Sequence, residues 1–123
     1  MPNYSAGKNI AMKLPERSYA QTVGFYEDVL GLEIVDQDDD GTIFKFGEVF
    51  LNLDRVPLQS QTDIWLELVV DDIAAAQADL SAQGVTLCDE VEALPDGFEG
   101  FWIASPSSTI HLVGAESNKQ TGA

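Results

Sequence analysis

Histidine and cysteine are almost missing from this chain, with one of each in 123 residues. A single cysteine, Cys88, excludes an intrachain disulfide framework and a thiolate zinc centre. Its setting in Val85-Thr86-Leu87-Cys88, a strand-like run, reads as that of a small buried hydrophobe. Basic residues are scarce too. Six Lys and Arg stand against 21 Asp and Glu, a formal net charge of −15. That field repels nucleic-acid backbones and anionic membrane surfaces, so neither is an expected partner. No apolar run approaches the roughly 18 residues of a spanning helix. No basic-then-apolar leader opens the sequence, so a cytoplasmic location is expected.

What is present is an ordinary globular composition, 45% hydrophobic, enough for one domain or for two very small modules sharing a core. Residues 1–7 are small and polar and are expected to be loose. From Asn9 to Leu14 the chain alternates, with Ile10, Met12 and Leu14 on one face and Asn9, Ala11 and Lys13 on the other. Pro15 ends that strand. A helix is expected from about Ser18, with Ser18 as N-cap and Gln21 completing a capping box, and Gly31 stops it. Strands are predicted over 32–35, 42–46 and 49–53. The aspartate run 36–41 reads as a solvated loop; the competing reading is weak cation binding, although the spacing is not that of an EF-hand. Residues 57–62 read as a linker.

The second half repeats the first. A strand over 64–70 precedes a helix over 73–83, capped by Asp71 or Asp72 and stopped by Gly84, and strands follow at 85–88, 101–103 and 109–113. Gly31 pairs with Gly84 and Asn9 with Trp65. The predicted fold is therefore α+β, two β-α-β-β-β modules whose curved sheets form a cleft, where a ligand would sit. The domain is expected over 8–114, as module 8–56 and module 62–114. Residues 115–123 form a polar tail, expected to be disordered from Glu116.

The stretch Phe25-Tyr26-Glu27-Asp28-Val29-Leu30-Gly31-Leu32 resembles the helix end of the vicinal oxygen chelate superfamily, which includes glyoxalase I, extradiol dioxygenases, fosfomycin resistance proteins and bleomycin-binding proteins. Val70-Asp71-Asp72-Ile73 with Leu80 and Gly84, and Ala104-Ser105-Pro106 before the last strand, extend the resemblance over most of the chain. Metal-dependent members place ligands on the first, fourth, fifth and eighth strands. Carried over by motif, these positions fall on Asn9, Asn52, Trp65 and His111. Asn is a weak neutral donor and Trp offers none, so the resemblance to the metal enzymes breaks down at the site itself.

Three readings follow from this. The leading one is metal-independent binding of a small, partly aromatic molecule, without a cofactor, by Asn9, Lys13, Asn52, Trp65, Glu67 and His111. Trp65 would supply a stacking platform, the two Asn amides polar orientation, and His111 a titratable contact. A cationic ligand suits the acidic field. The second reading is a divalent-metal lyase, isomerase or dioxygenase with a shifted site of His111, Glu67 and Asp54, in which a His111–Glu67 pair would act as general base. The third is a non-catalytic structural or regulatory dimer; a homodimer is expected in any case. Against all three stand plainer roles: His111 as a hydrogen-bonded structural residue, Trp65 as core, Tyr19, Phe25 and Tyr26 as a helix stripe facing the core. The loop 94–100, flanked by Phe98 and Trp102, reads equally as a lid over the cleft or a simple connection.

Overall fold

A computed structural model describes residues 2–118. The elements run β1 (Tyr4–Ala6), β2 (Asn9–Leu14), α1 (Glu16–Gly24) continued by a π-helical turn (Phe25–Val29), β3 (Ile34–Gln37), β4 (Gly41–Phe46) and β5 (Val49–Arg55). The second run is β6 (Asp63–Val70), α2 (Ile73–Ala82), β7 (Thr86–Leu87), a 3-10 turn (Asp89–Val91), β8 (Gly100–Ala104) and β9 (Ile110–Ala115). The class is α+β and the β-α-β-β-β order occurs twice, as the sequence predicts.

Two compact units divide the chain. One is Lys8–Trp65; the other is the segment through Gly7 together with the chain from Leu66 onward. In the first unit the strand order is β3-β4-β5-β2, with the opening residues of β6 beside β2. In the second it is β7-β8-β9-β6, with β1 also paired to β6. Each unit joins its first and last strands in parallel, Leu14 opposite Arg55 and Val70 opposite Ala115. Parallel neighbours need a crossover, and α1 and α2 supply it.

The core of the first unit lies between its sheet and α1. Leu14, Tyr19, Val23, Phe44, Leu51 and Leu53 are buried there, with Ile10 and Met12 packed against them. The predicted alternation of β2 is therefore the real one. The Tyr19 hydroxyl meets Thr42 Oγ1 at 2.7 Å, and Gln37 Nε2 donates to the same oxygen at 2.8 Å. In the second unit Val70, Ala76, Phe101, Ile103 and Val113 form the core under α2.

Several local expectations are corrected. Helix α1 starts at Glu16, two residues before the predicted cap, because Pro15 occupies the N-cap with φ −61° and ψ 154° and leads straight into the helix. Ser18 is thus inside the first turn, and its hydroxyl caps no N–H. The helix end widens into a π turn closed by Leu30 N–H donating to the Phe25 carbonyl at 3.0 Å. Gly31 then takes φ +72° and Gly84, after α2, takes φ +82°, the left-handed stops that the sequence marks.

Strand β3 begins two residues late, since Leu32 is taken by the core and Val35 forms a bulge against β4. Residues 4–6 are a strand, held because Tyr4 Oη donates to Asp79 at 2.6 Å and Asn3 bonds twice to Asp71. Glu116 to Asn118 are ordered as well: the Asn118 amide bonds both the N–H and the carbonyl of Glu99. The rest of the tail, 119–123, lies outside the described residues.

Candidate functional site

The face of the first unit's sheet turned away from α1 is built by the odd residues of β2 and the even residues of β5, a direct result of the two-residue strand period. It carries Asn9, Ala11 and Lys13 beside Asn52 and Asp54. The first residues of β6 join this face, with Trp65 opposite Ala11 and Asp63 opposite Lys13. Lys13 is only 5% exposed. Its ammonium donates to Asp54 Oδ2 at 2.7 Å and lies 4.3 Å from the Trp65 ring centroid. A buried ammonium is tolerable only when so matched, and here a carboxylate and an aromatic face both do it. The Trp65 indole N–H donates to Asp63 Oδ2 at 3.0 Å, which fixes the ring plane. Asn52 Nδ2 donates to Asn9 Oδ1 at 3.2 Å.

Beside this group the same face opens into a cavity of about 220 Å³, lined by Asp36, Asp38, Asp40, Ile43, Asn52 and Asp54. Sequence reasoning missed that Asp63 would orient Trp65 and that the aspartate run would wall a concavity. Within the run, Asp38 Oδ1 accepts the N–H groups of Asp40 at 2.8 Å and Gly41 at 3.0 Å, so one carboxylate serves as a turn cap.

The second unit divides the remaining expected residues between two faces. His111 lies opposite Ile103 on β8 and Leu66 on β6, and shares its face with Val113, which is fully buried under α2. It therefore projects to the helix-covered side, not to the open face assumed for it, and Val113 is core. Its Nδ1 donates to the Thr109 carbonyl at 3.0 Å. Glu67 lies opposite Leu112 and so projects from the other side, with its carboxylate over Gly7, where any Cβ would collide with it. His111 and Glu67 stand on opposite faces of one sheet. They form neither the expected acid–base pair nor two corners of a shifted metal site, and the third corner, Asp54, is bonded to Lys13.

Alternation could not reveal this. In Ile110-His111-Leu112-Val113 both parities are largely apolar, so only the packing of α2 identifies the buried one.

The divalent ion implied by the fold family does not fit these residues. Trp65 has no lone pair for a metal, the Asn9 oxygen accepts from Asn52, and His111 lies on the side of its sheet that α2 packs against. The open-face neighbours of His111 on its strand are Ile110 and Leu112, which offer no donor. Among the described residues no three His, Cys, Asp or Glu side chains are grouped to hold a metal ion.

The comparisons agree with the architecture. The family model for a glyoxalase-like domain matches residues 11–108, and the chain belongs to that family, within the vicinal oxygen chelate superfamily. Among solved structures it is similar to the Mn(II)-bound glyoxalase of Novosphingobium aromaticivorans. Identity is 23% and the TM-score 0.71, over 100% of this chain but 42% of the other. Homoprotocatechuate 2,3-dioxygenase from Arthrobacter globiformis matches at 16% identity and TM-score 0.64, over 96% of this chain and 38% of the enzyme. A glyoxalase/bleomycin resistance protein/dioxygenase superfamily member from Vibrio splendidus 12B01 matches at 16% identity and TM-score 0.62, over 94% and 100%. The chain thus spans about two fifths of the length of the two enzymes. At these identities the likeness is one of fold. No curated protein matches the chain.

Proposed function

We propose that this chain is a small-molecule binding protein of the glyoxalase and bleomycin-resistance type. In this reading it holds a partly aromatic ligand without a metal, on the open face of the Lys8–Trp65 unit. One observation carries the reading: Trp65, Lys13 and Asp54 stand in contact on that face with Asn9 and Asn52 beside them, next to a concavity. Trp65 offers a flat ring for stacking. The Asn amides offer donor and acceptor together. Because Lys13 is neutralised by Asp54, the face gives an anionic ligand little attraction, and the aspartate wall favours a cationic one.

The metal-enzyme reading draws support from one neighbour, the glyoxalase whose printed name gives it as Mn(II)-bound. The donor set described above argues against it. A homodimer remains part of the proposal, checked by sedimentation.

The test uses the whole chain, a flat cationic dye such as proflavine, and Mn²⁺, at about 0.15 M salt to screen non-specific attraction. Saturable rise of dye anisotropy, weakened at least tenfold by Trp65→Leu and by Asn52→Leu, is the expected result. Mn²⁺ should neither bind stoichiometrically nor alter dye affinity. Stoichiometric Mn²⁺ lost on Asn52→Leu would overturn the reading and move the chemistry to a metal centre.

A further inference from the structure

The chain contains the dipeptide Asp-Gly twice, at Asp40-Gly41 and at Asp96-Gly97. This pair carries a reaction of its own. The Gly amide nitrogen can attack the Asp side-chain carbonyl carbon, because glycine has no Cβ to obstruct the approach. A C–N bond forms, the Gly nitrogen gives up its proton, the carboxyl gives up its hydroxyl, and the two leave as water. The product is a five-membered succinimide, which water then opens. Attack at the side-chain carbonyl restores Asp. Attack at the backbone carbonyl leaves isoaspartate, whose main chain runs through Cβ and Cγ and is one methylene longer.

The fold treats the two pairs in opposite ways. At the first, both residues are pinned. The N–H groups of Asp40 and Gly41 donate to Asp38 Oδ1 at 2.8 and 3.0 Å. The Asp40 carbonyl accepts from the Arg55 N–H at 2.8 Å, and the Gly41 carbonyl from the Asp38 N–H at 2.9 Å. Gly41 also opens β4 opposite Asp54, so close to β5 that a Cβ would come within 2.9 Å of the Leu53 carbonyl oxygen. Bringing the Gly41 nitrogen to the Asp40 carboxyl requires rotation of this backbone, which breaks several of these bonds together.

Asp96 and Gly97 are the two central residues of an exposed turn, Pro95–Phe98, closed by the Phe98 N–H donating to the Pro95 carbonyl at 3.1 Å. Gly97 takes φ +82°, the conformation for which such a turn uses glycine. Among the described residues neither the Asp96 carboxylate nor the Gly97 N–H has a hydrogen-bond partner. Firm anchors lie on either side of the turn. The Glu92 carbonyl accepts the Trp102 indole N–H at 2.8 Å. The Glu99 carbonyl accepts from the Ala115 N–H at 3.1 Å and from Asn118 Nδ2 at 2.7 Å. The backbone between these anchors can change without disturbing β8.

We propose that Asp96 is a modification site, at which the folded protein converts spontaneously to isoaspartate, and that the added methylene opens the turn Pro95–Phe98 while both anchors hold. Asp40, in the same dipeptide, is protected by the bonds around it. The site belongs to the second unit and does not depend on the ligand reading above.

The experiment ages the full chain at neutral pH, folded and in parallel unfolded in urea, and follows isoaspartate at both sites by peptide mapping with electron-transfer fragmentation. For each site the ratio of unfolded to folded rate measures protection and cancels the effect of flanking sequence. Protection at Asp96 is expected to be at least tenfold smaller than at Asp40. Asp96→Glu, whose longer side chain would have to close a six-membered ring, should remove the signal at that position. Asp38→Ala, which releases the Gly41 N–H, should cut the protection of Asp40 several-fold. In the isomerised chain hydrogen exchange at the Phe98 amide should quicken at least tenfold, with the Ala115 amide unchanged. Equal protection at the two sites would overturn the proposal. So would an isomerised chain whose Phe98 amide exchanges as before, or one in which the Ala115 amide quickens equally.

Discussion

Tyr4 shows how single side chains hold what local sequence does not. The strand Tyr4–Ala6 is short, exposed and without an apolar stripe, yet the phenol reaches α2 and donates to Asp79. Partial desolvation, then the bond to this carboxylate and its charge, push the phenol pKa up to about 12 from an ordinary 10.0. The folded state thus favours the protonated phenol. Its contribution is fully present below the unfolded value near 10 and is lost as pH rises towards 12. Absorbance titration near 295 nm should show one tyrosine with its midpoint about two units above the model phenol, a step that Tyr4→Phe removes. Asp79→Asn should bring that midpoint down by removing the charge. If the late step survives Tyr4→Phe, the assignment to Tyr4 is wrong.

At the scale of elements, the two helices start by different chemistry although they occupy equivalent places in the repeat. Helix α2 uses Asp72, whose Oδ1 accepts the Ala75 N–H at 3.0 Å. Helix α1 uses Pro15, with no side-chain cap. Removing a side-chain cap costs about 1 kcal/mol, whereas a partly exposed polar residue within the first turn is worth less than about 0.5 kcal/mol. Asp72→Ala should therefore lower the urea midpoint clearly and Ser18→Ala hardly at all. Equal losses from both would restore Ser18 as a cap.

The elements also show how far the pattern of residues reaches. Gly31 and Gly84 were legible as helix stops because only glycine adopts positive φ without penalty, and both do so. The apolar stripe of β2 was legible because its other parity is polar. The face of His111 was not, since Ile110 and Leu112 are as apolar as Val113. The edge of β3 was not legible either: the core recruits Leu32 and a bulge displaces Val35, and both are tertiary events. Of the site, Asn9, Asn52 and Trp65 came from the family resemblance and Lys13 from the parity it shares with Asn9, while Asp63 needed strands brought side by side.

For the whole molecule the dominant quantity is charge. Twenty-one acidic against six basic residues make the compact state repel itself. Few of these charges are offset by pairs such as Lys13–Asp54 and Arg55–Glu16. Screening should then stabilise the fold. Raising salt from about 10 mM to about 150 mM shortens the Debye length from about 30 Å to about 8 Å. The thermal midpoint is expected to rise over that range, at neutral pH, by several degrees. A midpoint independent of salt would mean that the acidic groups are spaced too widely to interact.

By itself the sequence determined the class of fold, the duplication, the two helix stops and the acidic field. Each of these is a local or summed property, carried by periodicity, by glycine conformation or by charge count. Through the family resemblance it also put weak or absent donors, Asn9, Asn52 and Trp65, at three of the four metal positions, because donor chemistry belongs to the residue type. Only the tertiary structure decided which residues meet. The packing of α2 against Val113 put His111 on the helix side of the sheet, opposite to Glu67. The parallel pairing of β2 with β5 set Lys13 against Asp54. Contact across strands depends on register and on which face a helix covers, and neither is written in the spacing of residues along one strand.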